Sequence, residues 1–158
     1  MAETSGVLER RLQMRPLPDP AARALINLQV ANAHFEEEFE AVTLREGLGT
    51  SAYNILRILR GAPDGHPRGE IARRMVYRRT DLTRIIDGLV RRGLVERVRT
   101  RKDRRLSLAR LTPKGLKTMA RLEPHVTALI ARYRAKLSDQ DYRDLNRILE
   151  TLYGEDVE

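Results

Sequence analysis

The chain has 158 residues, 41% hydrophobic and 33% charged, a balance that builds a folded core and excludes a disordered polyampholyte. It has no cysteine, which excludes disulfides, thiolate metal sites and thiol redox sensing. Its net charge is +8, and residues 66–105 hold 14 Lys or Arg against 5 Asp or Glu, so the whole basic excess falls in one segment. Charge focused in this way is the footprint of a surface for a polyanion. The bland alternative is a solvated basic face kept for solubility. No apolar run nears the roughly 20 residues of a membrane span. The N-terminal MAETSGVLERRLQ lacks the apolar centre of a signal peptide, so a cytoplasmic protein is expected, without a membrane partner.

Residues 1–18, with Pro16 and Pro18, read as a flexible tail carrying one turn of helix around Leu8 to Leu12. Asp19-Pro20 is a cap followed by a first-turn proline, and it predicts a helix from Pro20 to Arg45. Leu25, Leu28, Ala31, Phe35, Phe39 and Val42 form its apolar stripe. Thr50 is expected to cap a second helix, Ser51 to Leu59, with Ala52, Ile55, Leu56 and Leu59 inward. After the turn Gly61-Ala62-Pro63-Asp64-Gly65, Pro67 opens a short helix that buries Ile71, Ala72 and Met75. A fourth helix is expected from Arg78 to Arg92, with Leu82, Ile85, Ile86, Leu89 and Val90 on one face and Gly93 as its stop.

Leu94 to Thr100 and Leu106 to Leu111 read as two antiparallel strands joined by Arg101-Lys102-Asp103-Arg104-Arg105. Thr112-Pro113 opens a long helix whose stripe runs through Leu116, Met119, Leu122, Val126, Leu129, Ile130, Tyr133 and Leu137. Pro124 lies inside it and predicts a kink. Ser138-Asp139-Gln140-Asp141 caps a last helix carrying Leu145, Ile148, Leu149 and Leu152. The fold class is therefore mainly α: a helix-turn-helix with a two-stranded wing at 48–112, flanked by helices at 19–47 and 113–158. The flanking stripes exceed what the small middle can cover, so a homodimer is expected.

A helix-turn-helix lays its second helix in the major groove. Here that helix presents Arg78, Arg79, Thr80, Thr83 and Arg84. Arginine matches guanine O6 and N7, and threonine meets a thymine methyl or a phosphate. Asp81 reads first as a stabiliser of the helix N-terminus, ahead of an acceptor for a cytosine amine. The wing loop, with Arg101, Lys102, Arg104 and Arg105, fits a minor groove, and Asp103 pairs with Arg105 and directs it. Thr50 and Ser51 sit at a helix start, a phosphate-binding position that simple capping explains equally well.

The stretch LTRIIDGLVRRGLVERVRTRKDRRLSLARLTPKG, residues 82–115, resembles the signature of the MarR (multiple antibiotic resistance regulator) family. Thr83-Arg84, Gly93-Leu94-Val95, Arg97, Asp103-Arg104-Arg105 and Leu111-Thr112 with Gly115 fall in place, and the helix layout matches over residues 20–153. Arg78, where a small cap is usual, Val76, where glycine is common, and Thr100-Arg101, where the wing often begins Asp-Pro, depart from it. The resemblance implies a triangular homodimer that binds pseudo-palindromic double-stranded operators near its own or a neighbouring gene. It implies that Arg105 enters the minor groove, oriented by Asp103. It also implies release from DNA by a small, often aromatic or amphipathic, effector between lobe and dimerisation helices. Phe35, Phe39, Tyr53 and Arg57 are the candidates for the wall of such a pocket, although core packing explains the phenylalanines too.

Other readings rank lower. His34, His66 and His125 are too widely spaced for a metal site, and Glu36, Glu37, Glu38 and Glu40 point in different directions along a helix. No metal and no cofactor are expected. No nucleophile motif, phosphate-binding glycine loop or acid–base pair supports an enzyme. The second hypothesis is a basic, architectural module that binds nucleic acid without sequence choice.

Overall fold

The structure, a computed structural model, describes residues 6–77, 81–99 and 107–154. The first element, α1 (Val7–Leu12), occupies part of the segment expected to be a tail. It buries Leu8, and its Glu9 carboxylate accepts a hydrogen bond from Arg23 Nε at 2.8 Å, which ties it to the next helix. That helix, α2 (Pro20–Thr43), is capped as expected, the Asp19 side chain accepting from the N–H groups of Ala21 and Ala22 at 3.0 and 3.3 Å. A single 3₁₀ turn, Leu44–Glu46, closes it.

Helix α3 (Thr50–Arg60) starts one residue before the expected position. Its cap is Gly49, whose extended backbone accepts the first helical bond from the Tyr53 N–H at 3.0 Å, so Thr50 is helical and caps nothing. Strand β1 (His66–Pro67) was not foreseen, because two residues are too short to show alternation. Helix α4 (Arg68–Arg74) buries Ile71, and Met75 is buried behind it. Ala72 is exposed rather than inward, because it lies about 100° around the helix from Ile71. Helix α5 (Leu82–Arg91) starts at Asp81, not at Arg78. The Asp81 carboxylate accepts from the Arg84 N–H at 3.1 Å, and its non-helical ψ of 78° fixes the boundary there.

Helix α5 ends in a Schellman motif. The Leu94 N–H donates to Leu89 C=O and the Gly93 N–H to Val90 C=O, with Gly93 at φ 68°, where glycine carries no Cβ penalty. Leu89 and Leu94, both buried, supply the hydrophobic contact that accompanies such a cap. Strands β2 (Val95–Arg99) and β3 (Ser107–Leu111) then pair antiparallel, Val95 opposite Leu111 and Arg99 opposite Ser107. The sheet order is β1-β3-β2, so the unforeseen β1 covers the outer edge of β3.

Helix α6 (Pro113–Arg134) is capped by Thr112, whose hydroxyl accepts from the Gly115 N–H at 3.0 Å. A Cβ on Gly115 would stand 2.2 Å from the Leu94 carbonyl oxygen, which explains why that motif position is glycine. The helix continues through Pro124, which lies inside it as the sequence indicates. Helix α7 (Asp139–Tyr153) begins with a reciprocal capping box between Ser138 and Asp141, as its sequence predicts. The core lies under α3: Ile55, Leu56 and Leu59 pack with Ile71, Leu89, Met119 and Leu122, all fully buried. No helix among the described residues is long and apolar enough to cross a membrane.

Candidate nucleic-acid interface and effector cavity

Helix α5 owes its orientation to one face. Leu82, Ile86 and Leu89 are buried against α3 and α4, which turns Thr83 and Arg84 outward into solvent. Arg84 makes no ion pair among the described residues, so its guanidinium is available to an external acceptor. Arg78, Arg79 and Thr80 lie outside the described residues, as do Arg101, Lys102, Asp103, Arg104 and Arg105 of the wing loop. The strands β2 and β3 that carry the wing are described, and they project from the same lobe as α5.

The structure sorts the cations of the basic segment. Arg73 and Arg74 pair with Glu70, and Arg97 pairs with Asp87 of α5 at 2.5 Å, which fastens the base of the wing to the outward helix. Arg92 donates to the carbonyl oxygens of Gly47 and Glu46 at 2.7 and 2.6 Å. These four arginines serve the fold. Arg68, Arg84, Arg91 and Arg99 are exposed and make no ion pair among the described residues. Arg68 shares a small recess with Thr83, Arg97 and Ser107, so it joins the face of α5 from the start of α4. Sequence reasoning missed Arg68, because a cation at a helix start inside a basic run has no distinctive spacing.

Glu46 connects this lobe to the long helix. Its carboxylate accepts two hydrogen bonds from Arg121 of α6, at 2.7 and 2.6 Å. Those bonds hold the Glu46 carboxyl below its usual range, burial opposes them, and the charges of Arg121 and Arg92 assist.

Thr50 and Ser51 occupy the first turn of α3 with partly exposed side chains. Thr50 borders a cavity of about 390 Å³ between α2, α3 and α6. Phe35 and Phe39 of α2 and Tyr53 and Arg57 of α3 come together in its wall. Phe35 and Phe39 stack with centroids 5.7 Å apart, and Tyr53 meets Phe39 edge-on at 5.2 Å. Burial pushes the Tyr53 phenol above its usual pKa, while Arg57 stands exposed at the rim. Val126 and Ile130 of α6 close one side. Val76 and Tyr77 close another, and from them the chain leads within four residues to the Asp81 cap of α5. Asn32, Glu36 and Asn54 are polar wall residues that the apolar-stripe reading passed over.

A small sheet beside a helix-turn-helix, with an outward basic face on its second helix, defines a winged-helix DNA-binding lobe. The MarR family model matches residues 46–106, the stretch from the Glu46 turn into the wing. The chain is 30% identical over 125 residues to the HTH-type transcriptional regulator PrsX of Escherichia coli, covering 75% of each protein. The chain belongs to the MarR family of transcriptional regulators. In fold it is similar to CouR of Rhodococcus jostii, solved with p-coumaroyl-CoA, at a TM-score of 0.74 and 20% identity over 86% of this chain and 95% of that one. It is similar as well to Sco3205, a MarR-family regulator of Streptomyces coelicolor solved with DNA, at a TM-score of 0.76 and 21% identity, covering 89% and 91%.

Proposed function

We propose that this regulator reads a pseudo-palindromic operator as a cytoplasmic homodimer, acts as a repressor, and leaves DNA when a small molecule fills the cavity between lobe and long helices. It works by binding, not by turnover. The observation that carries the DNA reading is the outward pair Thr83 and Arg84 on a helix whose other face is locked into the core. In this reading Arg78, Arg79 and Thr80 extend that pair toward the bases. Arg101, Lys102, Arg104 and Arg105 enter the minor groove with Asp103 directing Arg105. Thr50 and Ser51 face a phosphate.

Two observations support the remaining parts. The exposed apolar residues of the end helices, Leu25 and Leu28 of α2 with Leu145, Ile148 and Leu152 of α7, call for a second surface. The cavity is lined by the segment that leads into α5, so an occupant that moves Val76 and Tyr77 moves the helix that reads DNA. Domain limits at 19–47 and 113–158 for dimerisation and 48–112 for DNA binding follow from the same division.

The test is affinity for the DNA upstream of its own gene against random duplex of equal length, at two salt concentrations. Preference of about a thousandfold or more is expected of a sequence-reading regulator. Equal and steeply salt-dependent binding to both would replace this reading with the architectural one.

A further inference from the structure

The cavity wall is mostly apolar, but its buried polar complement is one-sided. Asn54 is 8% exposed and lines the cavity, yet its Oδ1 has no hydrogen-bond partner among the described residues. Glu36, from the facing helix α2, lines the same cavity, and its buried Oε1 has no partner either. A buried acceptor left unpaired costs about 1–3 kcal/mol, so proteins carry few of them, and each asks for an explanation. Two stand in the wall of one cavity: with the Asn54 amide oriented as it is, both are acceptors, and one belongs to a carboxylate. Both oxygens are covered as the side chains stand, and the terminal torsions of Asn and Glu are broad, so each group turns at small cost toward an occupant of the cavity.

Resting on the reading of this cavity as the effector site, we propose that its occupant is an apolar aromatic amine, held as the ammonium by Asn54 Oδ1 and the Glu36 carboxylate. The ring body lies against Phe35, Phe39 and Tyr53, the aromatic part of the cavity wall. The ammonium supplies three donors and no acceptor, which is what two orphaned acceptors need. A carboxylate would bring lone pairs to lone pairs and a second negative charge beside Glu36. Arg57, the cation nearest the mouth, is exposed, so water and salt screen its repulsion. A volume of about 390 Å³ falls at the small end of ligand sites, the size for one or two fused rings.

The experiment is calorimetric titration of the full chain with three probes on one ring: naphthalene-2-methanamine, naphthalene-2-methanol and naphthalene-2-carboxylate. The amine is expected to bind at least about tenfold more tightly than the carboxylate, as one charge-assisted hydrogen bond implies. Asn54→Leu and Glu36→Gln are each expected to weaken the amine about tenfold while leaving the alcohol within about threefold. Asn54→Leu also removes the orphaned oxygen, so its melting temperature is expected to equal or exceed the parent's. If the carboxylate binds as tightly as the amine and loses its affinity in Arg57→Ala, the amine assignment is wrong while the effector cavity stands. Amine binding unchanged in both Asn54→Leu and Glu36→Gln would equally overturn it. If none of the three binds at about 1 mM, the effector reading of the cavity fails, and the amine assignment with it.

Discussion

In the winged lobe, Ile55, Leu56 and Ile71 are 0% exposed, whereas Leu145, Ile148 and Leu152 of α7 are 40%, 49% and 60% exposed. Both sets are aliphatic and both follow helical spacing. The difference is that the lobe has three helices, a sheet and Met119 and Leu122 of α6 to close around its stripe, while α7 buries no residue at all. The end helices present an apolar surface of the kind that marks an interaction site, and in the proposed function a second copy covers it.

The largest effect is expected on the exposed side of α7. Deleting residues 138–158 removes α7 and is expected to convert the proposed dimer to aggregate or monomer, read by light scattering. A soluble dimer with full DNA affinity after that deletion would overturn the assignment of the end helices to dimerisation. Next in size is the closed side. Leu56→Ala is expected to cost about 2–5 kcal/mol by leaving a cavity in the lobe core, measured by chemical unfolding. The same change at Leu152, 60% exposed in one chain, is expected to leave the unfolding of the monomer nearly unchanged and to weaken dimer formation instead.

Smaller effects sharpen how each region meets its partner. Arg105→Ala is expected to weaken operator binding by about 1–3 kcal/mol with stability unchanged, and undiminished affinity would remove the wing from the DNA reading. Finest is the link between regions. The Glu46 carboxyl is held low by Arg121, so its contribution is present above the ordinary carboxylate pKa and is lost as pH falls through the lowered folded value. Glu46→Gln is therefore expected to flatten the fall of melting temperature below about pH 5, where ordinary carboxylates near 4.3 begin to protonate. The pair is exposed to solvent, so high salt is expected to narrow the gap between the parent and the variant.

Much of this molecule was legible beforehand, and the residues show why. Asp19-Pro20, Thr112-Pro113 and Ser138 with Asp141 are local devices: each satisfies orphaned N–H groups within three residues, so sequence alone places the helix. Gly93 is another, because the left-handed turn needs no distant partner. The apolar period named Leu82, Ile85, Ile86, Leu89 and Val90 as one face; the structure buries Leu82, Ile86 and Leu89 and packs Ile85 and Val90, half-buried, against the same core. The local rules erred where two signals competed. Thr50 looked like a cap, but the extended backbone of Gly49 had already taken that position. Arg78 looked like a helix start, but the Asp81 side chain fixed the start three residues later.

Capping and periodicity act over a few residues, so they place the helices, the two wing strands, the focused positive charge and the helix-turn-helix class, though not β1 or the starts of α3 and α5. Tertiary structure decided what depends on separation along the chain. It decided which arginines are consumed by the fold, since the pairing of Arg97 with Asp87 and of Arg92 with the Gly47 carbonyl follows from packing. It paired β1 with the far edge of β3. It brought Glu36 and Asn54 into one cavity wall from two helices. No local rule reaches across such distances, because contact between them exists only once the core has closed.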